Sequence, residues 1–290
     1  MAAENDAVGL IGVGLLGSAI AERLSTKGYD LYGCDPINPD LANISFCSSA
    51  ADLIKKCDRV IFCLPTSNDV SEVLHEQGDL LESDRHVIID TTTGDPEEMN
   101  RLADSLSQKS VPYIEANVAG SSAQLRKGEA VLFLGGSKEV IARYQQLFDD
   151  LANRSFHLGG AGSASRFKLI HNLILGLNRA VLAEGLAFAE ALGFDLERTL
   201  SVIQETPAAS EVMLTKGPRM VAGDFESPQA RLSQHLKDVR LILKLASSKG
   251  AKTPLSELHQ SLLEGLENKG LGSQDNSAII EAFRESERLQ

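Results

Sequence analysis

The sequence has few of the residues that build disulfide frameworks or metal centres. It contains four cysteines and six histidines in 290 residues. No two cysteines form a CxxC pair, and the histidines show no HExxH spacing. We therefore expect free thiols, a reducing compartment and no metal site. The first residues, MAAENDAVGL, lack the basic and apolar segments of a secretory signal, so we expect a cytoplasmic protein.

The sequence also lacks an uninterrupted apolar run and an excess of positive charge. Its most apolar stretch, residues 173–192, contains Asn178, Arg179, Glu184 and Glu190, which a helix in lipid rarely accepts. Lys and Arg number 28 against 40 Asp and Glu, for a net charge of −12. Because nucleic acids and anionic membranes both require a basic face, neither is an expected partner. An anionic small-molecule substrate would need the few cations to be concentrated around its site.

The order of apolar runs predicts an α/β domain over residues 1–162. Short apolar runs alternate there with helical patterns, as in AVGLI at 7–11, DLYGC at 30–34 and RVIFCL at 59–64. Continuous apolar strands separated by helices are typical of a parallel sheet covered on both faces. The handedness of crossover connections then favours a doubly wound Rossmann sheet. A single helix is expected over 138–151.

The second half, residues 163–290, has a different pattern and predicts an all-α domain. One helical pattern covers 163–192 and is apolar on most faces, which is typical of a buried helix. This long helix joins the two domains, and GGAG at 159–162 is the expected joint. A further helix is expected over 275–288. The amount of apolar surface in this half favours self-association, as a homodimer or homotetramer.

A GxGxxG motif begins at residue 12, directly after the apolar run at 7–11 and at the start of a helical pattern. In this context the motif is typical of a dinucleotide site. The glycines allow a tight turn, a close approach of the backbone to a pyrophosphate, and close packing of the helix on the strand. The helix N-terminus offers its N–H groups to phosphates. The residues expected at the pyrophosphate are Gly12, Gly14, Leu15, Leu16 and Gly17.

Asp35 ends the second predicted strand, where an acid accepts hydrogen bonds from the adenosine ribose hydroxyls. Because a carboxylate repels a 2′-phosphate, Asp35 favours NAD over NADP as the cofactor. The alternative is an aspartate that only starts the turn at 35–38. Leu64, Pro65 and Thr93 follow later strands at the same edge of the sheet, so we expect them to line the cofactor site.

Lys168 and Asn172 are four residues apart on the predicted long helix and so project from one face. Burial of a lysine favours its uncharged amine, which suits proton transfer near neutral pH. Asn172 could then hold a substrate oxygen by a hydrogen bond. His171 points about 100° away from its neighbours, and packing or support of the site is its expected role.

Motifs over nearly the whole chain resemble those of the β-hydroxyacid dehydrogenase family, which includes 3-hydroxyisobutyrate dehydrogenase and tartronate semialdehyde reductase. The matching segments after the glycine motif are LPTS at 64–67, DTTT at 90–93, EANVAG at 115–120, GSASRFKLIHN at 162–172 and KDV at 237–239.

This resemblance implies an enzyme that transfers a hydride between NAD and a small 3-hydroxy acid or the matching semialdehyde. It implies that Lys168 is the general acid/base and that Asn172 positions the substrate. Lys237 would line the cleft for cofactor and substrate. The substrate carboxylate would be bound by the backbone of a loop formed by Ala119, Gly120 and Ser121.

The sequence departs from the family pattern where the substrate would bind. Asn117 and Ala119 replace the family's Pro and Ser, so a carboxylate-binding hydroxyl is lost. A sugar acid such as threonate, or a sulfonate or phosphonate analogue, is therefore an alternative substrate. A non-catalytic NAD-binding protein is a further alternative. The cations expected near an anionic substrate are Lys168, Lys237 and either Arg126 or Lys127.

Overall fold

The computed structural model describes residues 7–37, 39–83 and 85–284. The chain divides into two compact units, Met1–Lys168 and Leu169–Gln290. The first unit contains an eight-stranded sheet. Its strands are β1 (Ala7–Ile11), β2 (Asp30–Cys34), β3 (Ser45–Phe46), β4 (Arg59–Phe62), β5 (Val87–Asp90), β6 (Tyr113–Ala119), β7 (Val131–Gly135) and β8 (Arg154–His157).

The strands lie in the order β3-β2-β1-β4-β5-β6-β7-β8, which confirms the predicted doubly wound sheet. All neighbouring pairs are parallel except β6 and β7, which are antiparallel. The connection over residues 120–130 is shorter than the dozen or so residues that a parallel crossover needs, so β7 returns beside β6. The strand order reverses between β1 and β4, and ligands of open α/β sheets bind at the carboxyl ends of strands at such a point.

Helices cover both faces of this sheet, as the continuous apolar strands predict. One apolar core contains side chains of the first, fifth, sixth and seventh helices, and the other contains those of the second, third and fourth. The helix expected over 138–151 is interrupted at Tyr144. The helices are α1 (Leu15–Ser25), α2 (Ala50–Lys56), α3 (Ser67–Gln77), α4 (Pro96–Gln108), α5 (Ser122–Lys127), α6 (Lys138–Arg143) and α7 (Gln145–Leu151).

The second unit is helical over its described residues. Helix α8 (Ser163–Ala191) begins in the first unit and continues into the second. The part of the expected helix at 275–288 that is described forms a 3₁₀ turn, Asn276–Ala282, and the residues after 284 lie outside the described range. The other helices are α9 (Leu196–Gln204), α10 (Glu211–Ala222), α11 (Leu232–Ser248) and α12 (Pro254–Asn268).

Helix α8 is long and apolar enough to cross a membrane by length and composition alone. Half of its most apolar 18-residue window is buried inside the protein, however. A buried arginine, Arg179, also lies on this helix. A half-buried apolar helix that carries a buried charge is typical of the core helix of a helical domain.

Candidate active site

The glycine-rich turn joins β1 to α1 in a conformation that requires its glycines. Gly12 has a φ of +92°, and a Cβ there would lie 2.4 Å from the carbonyl oxygen of Cys63. A Cβ at Gly17 would lie 2.2 Å from the carbonyl oxygen of Gly12. At Gly14, by contrast, a Cβ would meet no atom within 4 Å. The turn is therefore closely packed at its first and third glycines and open at its second.

Asp35 fastens the end of β2 to this turn. Its Oδ2 accepts a hydrogen bond from the backbone N–H of Val13 at 2.8 Å, and its Oδ1 accepts one from Ile37 at 2.9 Å. The carboxylate thus stabilises the turn. Because each carboxylate oxygen has two acceptor sites, a further hydrogen bond from a ribose hydroxyl remains possible at each.

The ends of β4 and β5 are held together by a threonine-rich segment. The N–H of Leu64 donates to Oγ1 of Thr92 at 3.1 Å, and the hydroxyl of Thr91 donates to the carbonyl of Phe62 at 2.8 Å. The carboxylate of Asp90 is buried and accepts from the N–H of Thr92 at 2.8 Å. Burial raises the pKa of Asp90 to about 6, against the hydrogen bonds that it accepts.

Asn117, one of the departures from the family pattern, lies on β6 and is fully buried. Its Nδ2 donates to the carbonyl oxygen of Thr92 at 2.8 Å. The side chain that replaces the family's proline therefore ties β6 to the segment that precedes Thr93. Asn117 shapes this edge of the sheet, a role that local sequence patterns do not signal.

The predicted substrate loop, Ala119 to Ser121, leads from β6 into α5. Ser121 caps α5: its Oγ accepts from the N–H of Gln124 at 3.2 Å, while its own N–H donates to Oε1 of Gln124 at 2.8 Å. The N–H of Ser121 is thus already used by Gln124. A substrate carboxylate that bound there would replace the Gln124 side chain.

Glu115 on β6 anchors the start of α8. Its carboxylate accepts from the N–H groups of Ala164 and Ser165, each at 3.3 Å, and from the hydroxyl of Ser165. Negative charge at a helix N-terminus is favourable because the first N–H groups have no partner within the helix. Burial raises the pKa of Glu115, whereas these hydrogen bonds lower it.

Lys168 follows one turn later on α8, and its ammonium is held by the same strand. Its Nζ donates to the carbonyl oxygen of Val118 at 2.6 Å, and the side chain is buried. Glu115 and Val118 on β6 therefore position the first turns of α8 and the predicted acid/base together. No pattern in the sequence indicates this role of Glu115.

Asn172 lies one further turn along α8, and its amide is oriented from two sides. Its Nδ2 donates to Oδ2 of Asp238 on α11 at 2.8 Å, and its Oδ1 lies 3.0 Å from Nδ1 of His171. Lys237 forms an ion pair with Asp238, with Nζ 3.0 Å from Oδ1. Asp238 thus connects two predicted site residues, and its role was not foreseen from the sequence.

The two basic residues suggested at the end of the substrate loop lie on α5. Arg126 donates from Nε and Nη2 to the carboxylate of Glu22, at 2.7 and 3.1 Å, on the surface. Lys127 is exposed. Within the described residues, no group of three or more His, Cys, Asp or Glu side chains is arranged to hold a metal ion.

These residues fit a nicotinamide dinucleotide. The open approach at Gly14, the uncapped N-terminus of α1 and the acid at Asp35 are what a pyrophosphate and a ribose require. All three lie at the carboxyl edge of the sheet, at the point where the strand order reverses. The first unit is the cofactor-binding unit of a Rossmann-type, nicotinamide-dependent oxidoreductase.

Comparison with known proteins supports this class and defines the family. Residues 7–159 match the family described as the NAD binding domain of 6-phosphogluconate dehydrogenase. Residues 160–283 match the family described as NAD-binding of NADP-dependent 3-hydroxyisobutyrate dehydrogenase. The chain belongs to the β-hydroxyacid dehydrogenase family, and its relatives include named dehydrogenases and reductases of hydroxy acids.

Individual relatives are similar over almost their full length. Glyoxylate/succinic semialdehyde reductase 1 of Arabidopsis thaliana is 28% identical over 96% of this chain and 98% of its own. L-threonate dehydrogenase of Cupriavidus necator is 25% identical over 95% of each chain. The crystal structure of a 3-hydroxyisobutyrate dehydrogenase from Salmonella typhimurium has the same fold, with a TM-score of 0.87, 23% identity, and coverage of 96% of this chain and 99% of that one.

Proposed function

We propose that this protein is an NAD-dependent dehydrogenase or reductase that interconverts a small 3-hydroxy acid and its semialdehyde, with Lys168 as the general acid/base. The observation that carries the proposal is the placement of Lys168: it is buried, and Val118 holds its Nζ at 2.6 Å. A lysine used only for solubility would extend into water. Membership of the family supports the same reaction class.

The chain's own residues account for binding and proton transfer. The glycine-rich turn, with Gly14 and the N-terminus of α1, would hold the pyrophosphate, and Asp35 the ribose. NAD, when bound, supplies the hydride acceptor. As the carbinol hydride leaves, Lys168 in its amine form accepts the hydroxyl proton. In the reducing direction the ammonium of Lys168 returns that proton to the carbonyl oxygen.

Asn172 would serve as a hydrogen-bond donor to the reacting oxygen. One N–H of its amide is committed to Asp238, and its Oδ1 faces His171. These two contacts fix the orientation of the amide of Asn172, and with it the direction of its second N–H. A donor held in one orientation stabilises the negative charge that develops on the substrate oxygen. The proposal also explains why Asn172 is buried rather than solvated.

The experiment is the Lys168→Met substitution, assayed with NADH and a panel of glyoxylate, succinic semialdehyde, tartronate semialdehyde and sulfolactaldehyde, and with NAD and L-threonate. We expect kcat to fall at least about 100-fold on the preferred substrate, the usual worth of an acid/base. NADH binding, followed by fluorescence, should stay unchanged. Lys252→Met, which removes an exposed lysine, is the matched control. Near-normal turnover of the Lys168 variant would refute the assignment.

A sugar acid such as threonate is the second candidate substrate. The departures at Asn117 and Ala119 alter the loop that would bind a substrate carboxylate, and the relative from Cupriavidus necator is named for threonate. The same panel separates the two: a kcat/KM for L-threonate at least tenfold above that for any semialdehyde would favour this candidate.

We also propose that two copies of the chain associate through the exposed side of α8. Exposed apolar side chains recur there at spacings of three, four, seven and seven residues, which keeps them on one side of the helix as in a helix–helix seam. Such a surface is complementary to a second copy of itself. The exposed residues are Phe167, Ile170, Ile174, Val181 and Phe188.

Light scattering after size exclusion tests this association. The double variant Ile174→Glu, Val181→Glu should have half the molar mass of the wild-type dimer, whereas Val202→Glu on α9 should leave the molar mass unchanged. An unchanged mass in the double variant would contradict the proposal.

We propose the cytoplasm as the compartment. All four cysteines are free, and burial raises the pKa of Cys57 to about 12 and of Cys63 to about 11. Cell fractionation with antibody detection tests this location, and recovery of the protein in a membrane or extracellular fraction would contradict it.

A further inference from the structure

Arg179 on α8 is a buried charge without hydrogen-bond partners for two of its nitrogens. The residue is 3% exposed, and its Nε and Nη2 have no hydrogen-bond partner among the described residues. Burial lowers its pKa to about 10, so the guanidinium remains charged at neutral pH. A buried guanidinium that lacks partners is unfavourable, and such groups occur where a ligand or a functional role requires them.

The acids nearest to Arg179 are committed to other residues. Asp275 accepts from Nζ of Lys216 at 2.9 Å with each of its oxygens, and from the N–H and hydroxyl of Ser277. Asp238 accepts from Asn172 and pairs with Lys237. Both acids attract Arg179 electrostatically, but neither forms a hydrogen bond with its Nε or Nη2.

A neutral histidine shares the surroundings of Arg179. A Cβ at Gly176, one turn before Arg179, would lie 2.5 Å from Nε2 of His235 and 3.1 Å from Cε1 of His259, so both rings pack against this part of α8. Burial and the charge of Arg179 lower the pKa of His259 to about 4, so it is neutral at pH 7. Nε2 of His259 is buried and has no hydrogen-bond partner within the described residues.

This cluster carries positive charge in an acidic protein. Four cations, Arg179, Lys216, Arg219 and Lys237, lie near three acids, Asp224, Asp238 and Asp275, which leaves one surplus positive charge in a chain whose net charge is −12. Arginine is the side chain whose planar fork matches an oxyanion with two parallel hydrogen bonds. A cluster rich in cations, in which Nε and Nη2 of Arg179 have no hydrogen-bond partner among the described residues, is therefore suited to an anionic ligand.

We propose that Arg179, assisted by His259, binds a second oxyanion of the substrate, so that the substrate is a hydroxy acid with two acidic groups. The proposal rests on the proposed function, in which Lys168 and Asn172 act at the hydroxyl end. Positions 168, 172, 176 and 179 share one face of α8. Asn172 and Arg179 are about 10 Å apart along the helix axis. Both side chains lean towards the N-terminus, and the longer arginine reaches further in that direction, which shortens the distance between their polar ends. A distal carboxylate on a chain of about five carbons fits this arrangement.

Calorimetry on the full chain saturated with NAD tests the proposal without requiring turnover. The probes are glutarate, which has two carboxylates, and butyrate, which has one. We expect wild-type protein to bind glutarate at least tenfold more tightly than butyrate. Arg179→Met should abolish this difference by weakening glutarate alone. Arg240→Met, which removes an exposed arginine from α11, should leave both affinities unchanged.

Arg179→Lys keeps the positive charge but removes the planar guanidinium. It tests whether Arg179 binds the second carboxylate even if the methionine variant does not fold. It should weaken glutarate and leave butyrate unaffected. Equal affinities of the two probes for wild-type protein would overturn the proposal, as would an Arg179 variant that retains the preference. Because binding is measured without catalysis, failure of the proposed reaction in the substrate panel is a separate result.

Discussion

The buried carboxylate of Asp90 offers a direct test of the electrostatics at the end of β5. Asp90 is 1% exposed and accepts hydrogen bonds from the hydroxyl of Tyr113 at 2.9 Å and the N–H of Thr92 at 2.8 Å. Asn can replace it with the same shape, because its Oδ1 can accept from Thr92 while its Nδ2 donates to the Tyr113 oxygen. Asp90→Asn therefore removes the charge and keeps both contacts.

The expected effect on stability follows from the pKa. Burial is the largest cause of the rise from 3.8 to about 6, and the nearby Glu115 adds to it. At about 1.4 kcal/mol per unit, the ionised Asp90 costs the folded state about 3 kcal/mol as an upper limit. A carboxyl whose folded pKa is raised binds its proton more tightly in the folded state. The cost is therefore fully present above about pH 7, falls as the pH drops through 6, and is lost only below the unfolded pKa of 3.8.

Urea denaturation followed by circular dichroism between pH 4.5 and 8 measures this effect. We expect Asp90→Asn to be about 1–3 kcal/mol more stable than wild type at pH 7.5, and this difference should shrink by about two thirds at pH 4.5. Asp104→Asn, at an exposed position on α4, serves as the control. If Asp90→Asn were less stable at pH 7.5, by an amount that did not change with pH, the reasoning would be refuted.

Two further substitutions test the cofactor preference and a buried ion pair. Asp35→Asn removes the charge that would repel a 2′-phosphate, so kcat/KM for NADP relative to NAD should rise at least about tenfold, or ~1.4 kcal/mol; an unchanged ratio in steady-state assays would contradict the assigned role of Asp35. Asp275→Asn leaves Lys216 buried without its partner and should cost about 3–5 kcal/mol in urea denaturation at pH 7. Burial alone would raise the pKa of Asp275, but Lys216 and Ser277 outweigh it and lower the pKa to about 2. The contribution of this carboxylate to the free energy of unfolding should therefore be present above about pH 4 and disappear towards pH 2. If the variant were less than ~1 kcal/mol less stable than wild type at pH 7, the ion pair would not have this role.

Several elements of the fold were not predictable from periodicity. Strand β3 has two residues, and β8 (RSFH) is mostly polar, so neither forms an apolar run. Helix α10 contains Pro218, which is typical of a helix end rather than of a helix interior. The antiparallel direction of β7 depends on the length of the preceding connection, because apolar strand patterns do not encode direction. Each of these elements is formed through neighbours that are distant in sequence.

Charge was the least predictable property of the candidate site. A count of lysines and arginines cannot distinguish Arg126, which pairs with Glu22 on the surface, from the buried Arg179. Two nitrogens of Arg179 have no hydrogen-bond partner in the part of the chain that the structure describes. In the sequence, Arg179 is only an interruption of an apolar stretch. Its importance depends on the commitment of Asp238 and Asp275 to other partners, which only packing reveals.

The sequence by itself determined the features that depend on local geometry. The turn at Gly12 to Gly17 follows from the conformations that its glycines allow, and the shared face of Lys168 and Asn172 follows from the period of a helix. The tertiary structure decided which groups these residues meet. Lys168 contacts Val118 across 50 positions of sequence, and Asn172 contacts Asp238 across 66. Such contacts arise when buried polar groups find hydrogen-bond partners during packing, and no local pattern specifies those partners.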